Sequence, residues 1–314
     1  MAGPKLRAFR SKALYRALLA IMAIGRALPY RVGQRLGRLL GGLAWHLTHR
    51  EREKVLRNLA IAFPDWPETE RTRAARESFR HHGTSLFEVS HLWNAATFDF
   101  DKHTIFEGVE LAAALVAEGR SIVVFTAHCG NWEWLGAAIR SRGIPIAAVQ
   151  RDRDDAEMHL WVKELRARMG ITTIGRGSES TARELVAALR RPGMLGFLID
   201  QSLRTESVKV PFFGRDALTA IGPARLAIRT EAVAMPVFAE RLPDGRHLVR
   251  CLEPIHCRRT DDPAALTARM THEIEQQIRR APTQWVWMHD RWKYRAKWDV
   301  DAEDTDGTTN TSAS

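Results

Sequence analysis

Apolar and polar positions alternate along this chain with two different periods. The stretch 121–126, Ser-Ile-Val-Val-Phe-Thr, is a short continuous apolar run of the kind that forms a strand buried on both faces. Similar short runs at 144–150, 171–174, 194–199, 233–240 and 247–253 predict further strands. Between them, helical spacing of apolar residues predicts helices at 109–118, 132–142, 157–169, 178–190, 222–230 and 263–280. A long helix is expected at 68–93, started by Pro64, Pro67 and the acids Glu68 and Glu70. Strands alternating with helices imply an α/β fold with a mainly parallel central sheet flanked by helices.

The first 47 residues read differently. Helices are expected at 13–28 and 32–47, with Leu36, Leu39, Leu40, Leu43, Trp45 and Leu47 apolar and Lys12, Arg16 and Arg26 basic. The apolar core at 17–25 is far shorter than the ~20 residues a membrane span needs. Snorkelling cations and Trp45 suit a monotopic anchor lying on a membrane, with a helical hairpin packed on the domain as the alternative. Three regions follow: membrane-associated helices at 1–47, a catalytic domain at 48–297, and an acidic, Thr/Ser-rich tail at 298–314 expected to be disordered.

Charge sharpens this picture. Lys and Arg number 47 against 37 Asp and Glu, a net +10, and five of the acids (Asp299, Asp301, Glu303, Asp304, Asp306) lie in the tail. The body therefore carries +15. Such a body attracts a polyanion: anionic lipid headgroups, an acidic carrier protein or nucleic acid. No zinc-finger spacing, RNP-like motif or basic zipper is present, so no nucleic-acid partner is expected. The cysteines Cys129, Cys251 and Cys257 form neither a disulfide framework nor a metal pattern, which fits a cytosol-facing location. The twelve histidines show no clear metal-ligand spacing, His81-His82 reads as a helix-surface pair, and no cofactor is expected.

The candidate chemistry sits directly after the run 121–126. His128 ends that segment, and Glu133 follows five positions later in the first turn of the next helix. Histidine is the side chain that exchanges protons near neutral pH, and a carboxylate can orient it as a general base. Gly130 permits a turn, and Asn131 is a good N-cap for the helix, with a place in the substrate pocket as its second reading. Cys129 is poorly placed as a nucleophile, because neighbours on an extended chain point to opposite sides. Asp200 closes the run 194–199, where an unpaired buried charge would be costly. Pairing with an arginine, holding an acceptor, and a simple turn role are its readings.

His-x4-Glu resembles the signature of the glycerolipid and lipid A acyltransferase superfamily, and its glutamate resembles the late lipid A acyltransferases. Four further segments are similar to that family's motifs, in the same order: Arg57 to Pro64 (Asn-x4-Phe-Pro), Leu165-Arg166-Ala167-Arg168-Met169-Gly170, Phe197-Leu198-Ile199-Asp200-Gln201, and Gln284 to Lys293. Pro211-Phe212-Phe213-Gly214 is similar to its Phe-Phe-Gly segment. The resemblance implies acyl transfer from an acyl carrier protein or coenzyme A thioester to a hydroxyl of a membrane glycolipid, most simply a lipid A precursor, at the cytosolic face of the inner membrane. Mannosylated phosphoinositide or another lysolipid is the alternative acceptor; a non-catalytic basic protein is the alternative class. The resemblance implies His128 as base, Glu133 as its partner, Arg166 as oxyanion donor and Asp200 as a further site residue. It implies Phe212, Phe213 and Gly214 as lining of an acyl groove. Arg151 stands where the family has an arginine before proline, but Asp152 follows here, which leaves its substrate-binding role open. Trp285, Trp287, Arg291, Trp292 and Lys293 are expected at the level of lipid headgroups.

Overall fold

The computed structural model describes residues 4–151, 156–176, 180–202 and 205–293. Four helices open the chain: α1 (Pro4–Ala27), α2 (Tyr30–Leu47), α3 (His49–Ala62) and α4 (Glu68–His91). Short α5 (Phe100–His103) and edge strand β1 (Thr104–Glu107) lead into α6 (Val109–Ala117), β2 (Ser121–Thr126), α7 (Trp132–Ser141) and β3 (Ile146–Arg151). Next come α8 (Ala156–Arg168), β4 (Thr172–Arg176), α9 (Thr181–Ala188) and β5 (Gly193–Leu198). A hairpin of β6 (Ser207–Phe212) and β7 (Arg215–Ala220) precedes α10 (Gly222–Thr230), β8 (Val233–Arg241), β9 (His247–Cys251), β10 (Ile255–His256) and α11 (Pro263–Arg280).

The main sheet runs β1-β9-β8-β2-β5-β3-β4, with β10 added to β8. Its centre is parallel, as the alternating pattern predicts; β9 and β10 pair antiparallel with β8. One apolar layer, including Trp134, Leu135 and Ile139 of α7, covers one face. The other, including Ala224 and Ile228 of α10, Ile274 of α11 and the tryptophans 285 and 287, covers the opposite face. The connection leaving β2 runs through α7 to β3, whereas that leaving β5 runs to β8 on the other side of β2. The carboxyl ends of β2 and β5 thus flank a switch point, the place where open parallel sheets bind ligands.

The N-terminal helices pack on this body. Gly37 and Gly41 of α2 cross Gly83 and Phe79 of α4 so closely that a methyl group on Gly41 would lie 2.3 Å from the Phe79 carbonyl. Trp45 is buried on this same face, edge-on to Phe79 with centroids 5.5 Å apart. It is therefore a core residue and is withdrawn from the interfacial position expected of it. The opposite face of α2 leaves Leu39, Leu43 and Leu47 exposed at four-residue spacing. No helix among the described residues is long and apolar enough to cross a membrane.

Several elements were not anticipated. Helix α3 has a polar, Arg/Glu-rich outer face that hides its buried stripe of Val55, Asn58, Leu59 and Ala62. Residues 207–220, which include the Phe212-Phe213-Gly214 segment expected to line an acyl groove, form a two-stranded hairpin, its two-residue turn at Phe213 and Gly214 having φ of 53° and 71°. His81 is buried, not surface, and so are Trp285, Trp287 and Arg291, which excludes them from any headgroup-facing surface. The tail 298–314 lies outside the described residues.

Candidate active site

Register brings the site together. Thr126 of β2 pairs with Leu198 of β5, so the residues two steps beyond each, His128 and Asp200, leave the sheet side by side. The Asp200 Oδ1 lies 2.9 Å from His128 Nδ1, and Oδ2 accepts the His128 backbone N–H at 2.9 Å. Asp200 is fully buried, whereas the imidazole is partly open. Burial pushes the Asp200 carboxyl up, but the adjacent His128 ring and hydrogen bonds from His128 and Trp285 outweigh it and hold the group down at about 2. An ionised Asp200 fixes the ring as its Nδ1–H tautomer and leaves Nε2 as the basic nitrogen.

Asp200, not Glu133, is therefore the carboxylate on the imidazole. Glu133 instead forms a two-point pair with Arg166: Nε donates to Oε2 at 3.0 Å and Nη2 to Oε1 at 2.7 Å. Arg166 Nη1 also donates to Gln150 Oε1 at 3.1 Å. The reason is helical geometry. Glu133 projects from the first turn of α7 toward the C-terminal end of α8, while His128 turns back over β5. An Arg–carboxylate fork of this kind fixes the guanidinium plane. Arg166 has five N–H donors, of which these bonds use three, so two remain for a ligand.

Beneath the Glu133–Arg166 pair, α7 and the sheet flank a narrow apolar slot of about 50 Å³. Val124, Leu135, Ile139, Met194 and Val237 line it, and Gly136 and Gly196 leave it unfilled. Trp132 stands at its edge, with its ring 5.0 Å from that of His128.

The turn 128–131 is held from behind. Gly130 has φ 66°, and a β-carbon there would lie 1.9 Å from the Ala239 carbonyl, so only glycine passes. His81 Nε2 donates to the Gly130 carbonyl at 3.1 Å, and Arg241 Nη1 donates to His81 Nδ1 at 2.5 Å. Burial and then the Arg241 charge push His81 well below the usual range, which keeps it neutral for that arrangement. Asn131 caps α7 through Oδ1, which accepts the Trp134 N–H at 3.1 Å. Its Nδ2 donates at 3.0 Å to buried Glu88, which also takes Arg241 Nε at 2.7 Å and Gln34 Nε2 at 2.8 Å. With both ends of its amide engaged and its surface buried, Asn131 is a scaffold residue and not a substrate ligand.

Other expected site residues lie elsewhere. Phe212 and Phe213 are buried on the hairpin, against Trp285 and Trp287, and none of 212–214 lines the slot. Arg151 ends β3, but its side chain is outside the described residues. Burial and then the nearby Asp200 charge push the Cys129 thiol far up, so it stays protonated and is no nucleophile. Sequence reading missed Trp285, whose indole donates to Asp200 Oδ2 at 2.7 Å, and the Glu88–Arg241 pair. Glu88 carried a signal: a carboxylate between Phe87 and Val89, on the buried face of a helix.

The model of the family described as bacterial lipid A biosynthesis acyltransferase matches residues 4–294. This chain belongs to that family. Curated relatives agree. The chain is 30% identical to a lipid A biosynthesis lauroyltransferase of Escherichia coli K12 over 85% of its length and 87% of the relative's. It is 28% identical to a lipid A biosynthesis palmitoleoyltransferase of the same organism over 88% and 90%. A phosphatidylinositol mannoside acyltransferase of Mycobacterium tuberculosis CDC 1551 is 22% identical over 80% of each chain. The protein is thus an O-acyltransferase, and the motifs His128-x4-Glu133, Arg166 and Asp200 of this acyltransferase meet at one end of its sheet.

Proposed function

We propose that this acyltransferase moves a fatty acyl chain from an acyl carrier protein or coenzyme A thioester to a hydroxyl of a lipid A precursor. The observation that carries the mechanism is the buried Asp200–His128 pair beside the mouth of an apolar slot. Nε2 of His128 takes the proton of the acceptor hydroxyl as its oxygen attacks the thioester carbonyl. Asp200 stabilises the imidazolium that forms. The tetrahedral oxyanion needs donors where its charge develops, and the free N–H groups of Arg166 supply them, with Glu133 fixing the guanidinium. Collapse of this intermediate breaks the C–S bond, and the imidazolium returns its proton to the departing thiolate. The narrow apolar slot under α7 marks where the acyl tail enters, its walls parting to admit the chain. The lipid A acceptor is favoured over mannosylated phosphoinositide by the higher identity to the lipid A enzymes.

Residues 48–297 form the catalytic domain in this proposal, and 1–47 rest on the cytosolic face of a membrane. The exposed leucines of α2 support this contact, and the basic body favours both an anionic membrane and an acidic carrier protein. The test is lauroyl transfer by purified full-length protein to a lipid A precursor. His128→Ala should lose about two to four powers of ten in turnover, the usual size of a general-base contribution, while still folding cooperatively, with a melting temperature lowered by the loss of the Asp200 partner. A folded His128→Ala with wild-type turnover would refute the mechanism.

A further inference from the structure

The segment after α11 returns to the site as a strap. The Gln284 carbonyl accepts the Gly130 N–H at 2.9 Å, and the Val286 N–H donates to the His128 carbonyl at 3.0 Å. These two bonds bridge Trp285 to Cys129 in antiparallel fashion. Both flanks are anchored. The Gln284 side chain exchanges two bonds with the Arg241 backbone, each 2.8 Å. Asn58 of α3 donates to the carbonyls of Trp287 and His289 at 2.7 and 2.9 Å. The Trp285 ring is buried, edge-on to Phe212 and Trp287. Its only polar atom, Nε1, meets Asp200 Oδ2 at 2.7 Å.

We infer that Trp285 is a positioning residue of the relay, its indole N–H locking the Asp200 carboxylate so that Oδ1 alone faces His128. The inference rests on the general-base reading above. A carboxylate torsion is broad and roughly two-fold, so one bond at each oxygen leaves room for rotation. Oδ2 here receives two donors, the His128 backbone and the indole, while Oδ1 receives the imidazole. Asp200 is buried, so its carboxylate relies on donors from the protein. The other titratable and charged groups around the Asp200–His128 pair are Cys129 on the β2 loop, His82 on α4, and His289 and Arg291 on the strap. None of these is altered by changing the indole to a ring without N–H.

The variant is Trp285→Phe in the full-length protein, which keeps an aromatic ring against Phe212 and Trp287. With lauroyl-acyl carrier protein and a lipid A precursor, kcat should fall roughly ten- to hundredfold, the size of one buried hydrogen bond to a charged group. Both KM values should stay unchanged. The acid limb of the pH–rate profile should move to higher pH, because a carboxylate relieved of one donor holds the imidazolium proton more tightly. A folded variant with wild-type kcat and a superimposable profile would overturn the inference. Should the variant not fold, indole-labelled wild type and Asp200→Asn are compared by NMR. One indole N–H of the ten must move upfield and exchange faster in Asp200→Asn; ten unmoved signals overturn the inference as well. Inactive His128→Ala with fully active Trp285→Phe removes only this inference, whereas active His128→Ala removes the base itself.

Discussion

Two carboxylates stand near His128, and their environments assign them different tasks. Asp200 is enclosed, held ionised and bonded to the imidazole; Glu133 is forked onto Arg166. Removing either group should therefore give different kinetic signatures. Arg166→Ala should lower kcat by about two to three powers of ten, as for a lost oxyanion donor, with a smaller change in the donor's KM. Steady-state kinetics decide this: a rise in KM alone would make Arg166 a binding residue only. Glu133→Gln should lose less, because the amide oxygen still accepts one N–H of the fork. Acid stability follows from Asp200. Its carboxyl lies at about 2 against an ordinary 3.8, a depressed value. Its stabilisation is thus complete above 3.8 and is lost as pH falls toward about 2. Asp200→Asn should show a smaller loss of urea stability than wild type across that window.

At the scale of elements, α2 is two-sided. Gly33, Gly37, Gly41 and Trp45 face α4, and Leu39, Leu43 and Leu47 face outward. The inner face packs on the body, as the helical-hairpin expectation has it, and the outer face is the one proposed to contact a membrane. The inner face also reaches the site scaffold, since Gln34 bonds Glu88. Point changes on the outer face are therefore a cleaner probe than deletion. Replacing Leu39, Leu43 and Leu47 by Ser should release the protein from membranes in high salt, where wild type still sediments, because apolar burial resists the screening that weakens charge contacts. Sedimentation of the triple variant with membranes, unchanged in high salt, would remove α2 from the contact. The parallel core was legible because β2, β5 and β8 are buried on both faces and read as unbroken apolar runs. Strand β1 was not, being four residues at an edge. The partner of His128 was not legible either. Spacing along the chain favours Glu133, whereas the Asp200 contact depends on the register between β2 and β5.

Across the whole molecule, the residues proposed to act on the substrate lie between 128 and 200, but the groups that hold them come from both ends of the chain. Glu88 and His81 arrive on α4 from before the sheet, and Gln284, Trp285 and Val286 arrive after it. The strap bonds to residues more than 150 positions earlier. Contacts of such separation form late, after the loop-closure entropy of the intervening chain has been overcome. A chain of residues 1–283 alone contains every group proposed to touch substrate, yet it lacks the donor on Asp200 and the bridge to Cys129. Truncation after residue 283 should consequently abolish acyl transfer, a loss read directly in the lauroyl-transfer assay.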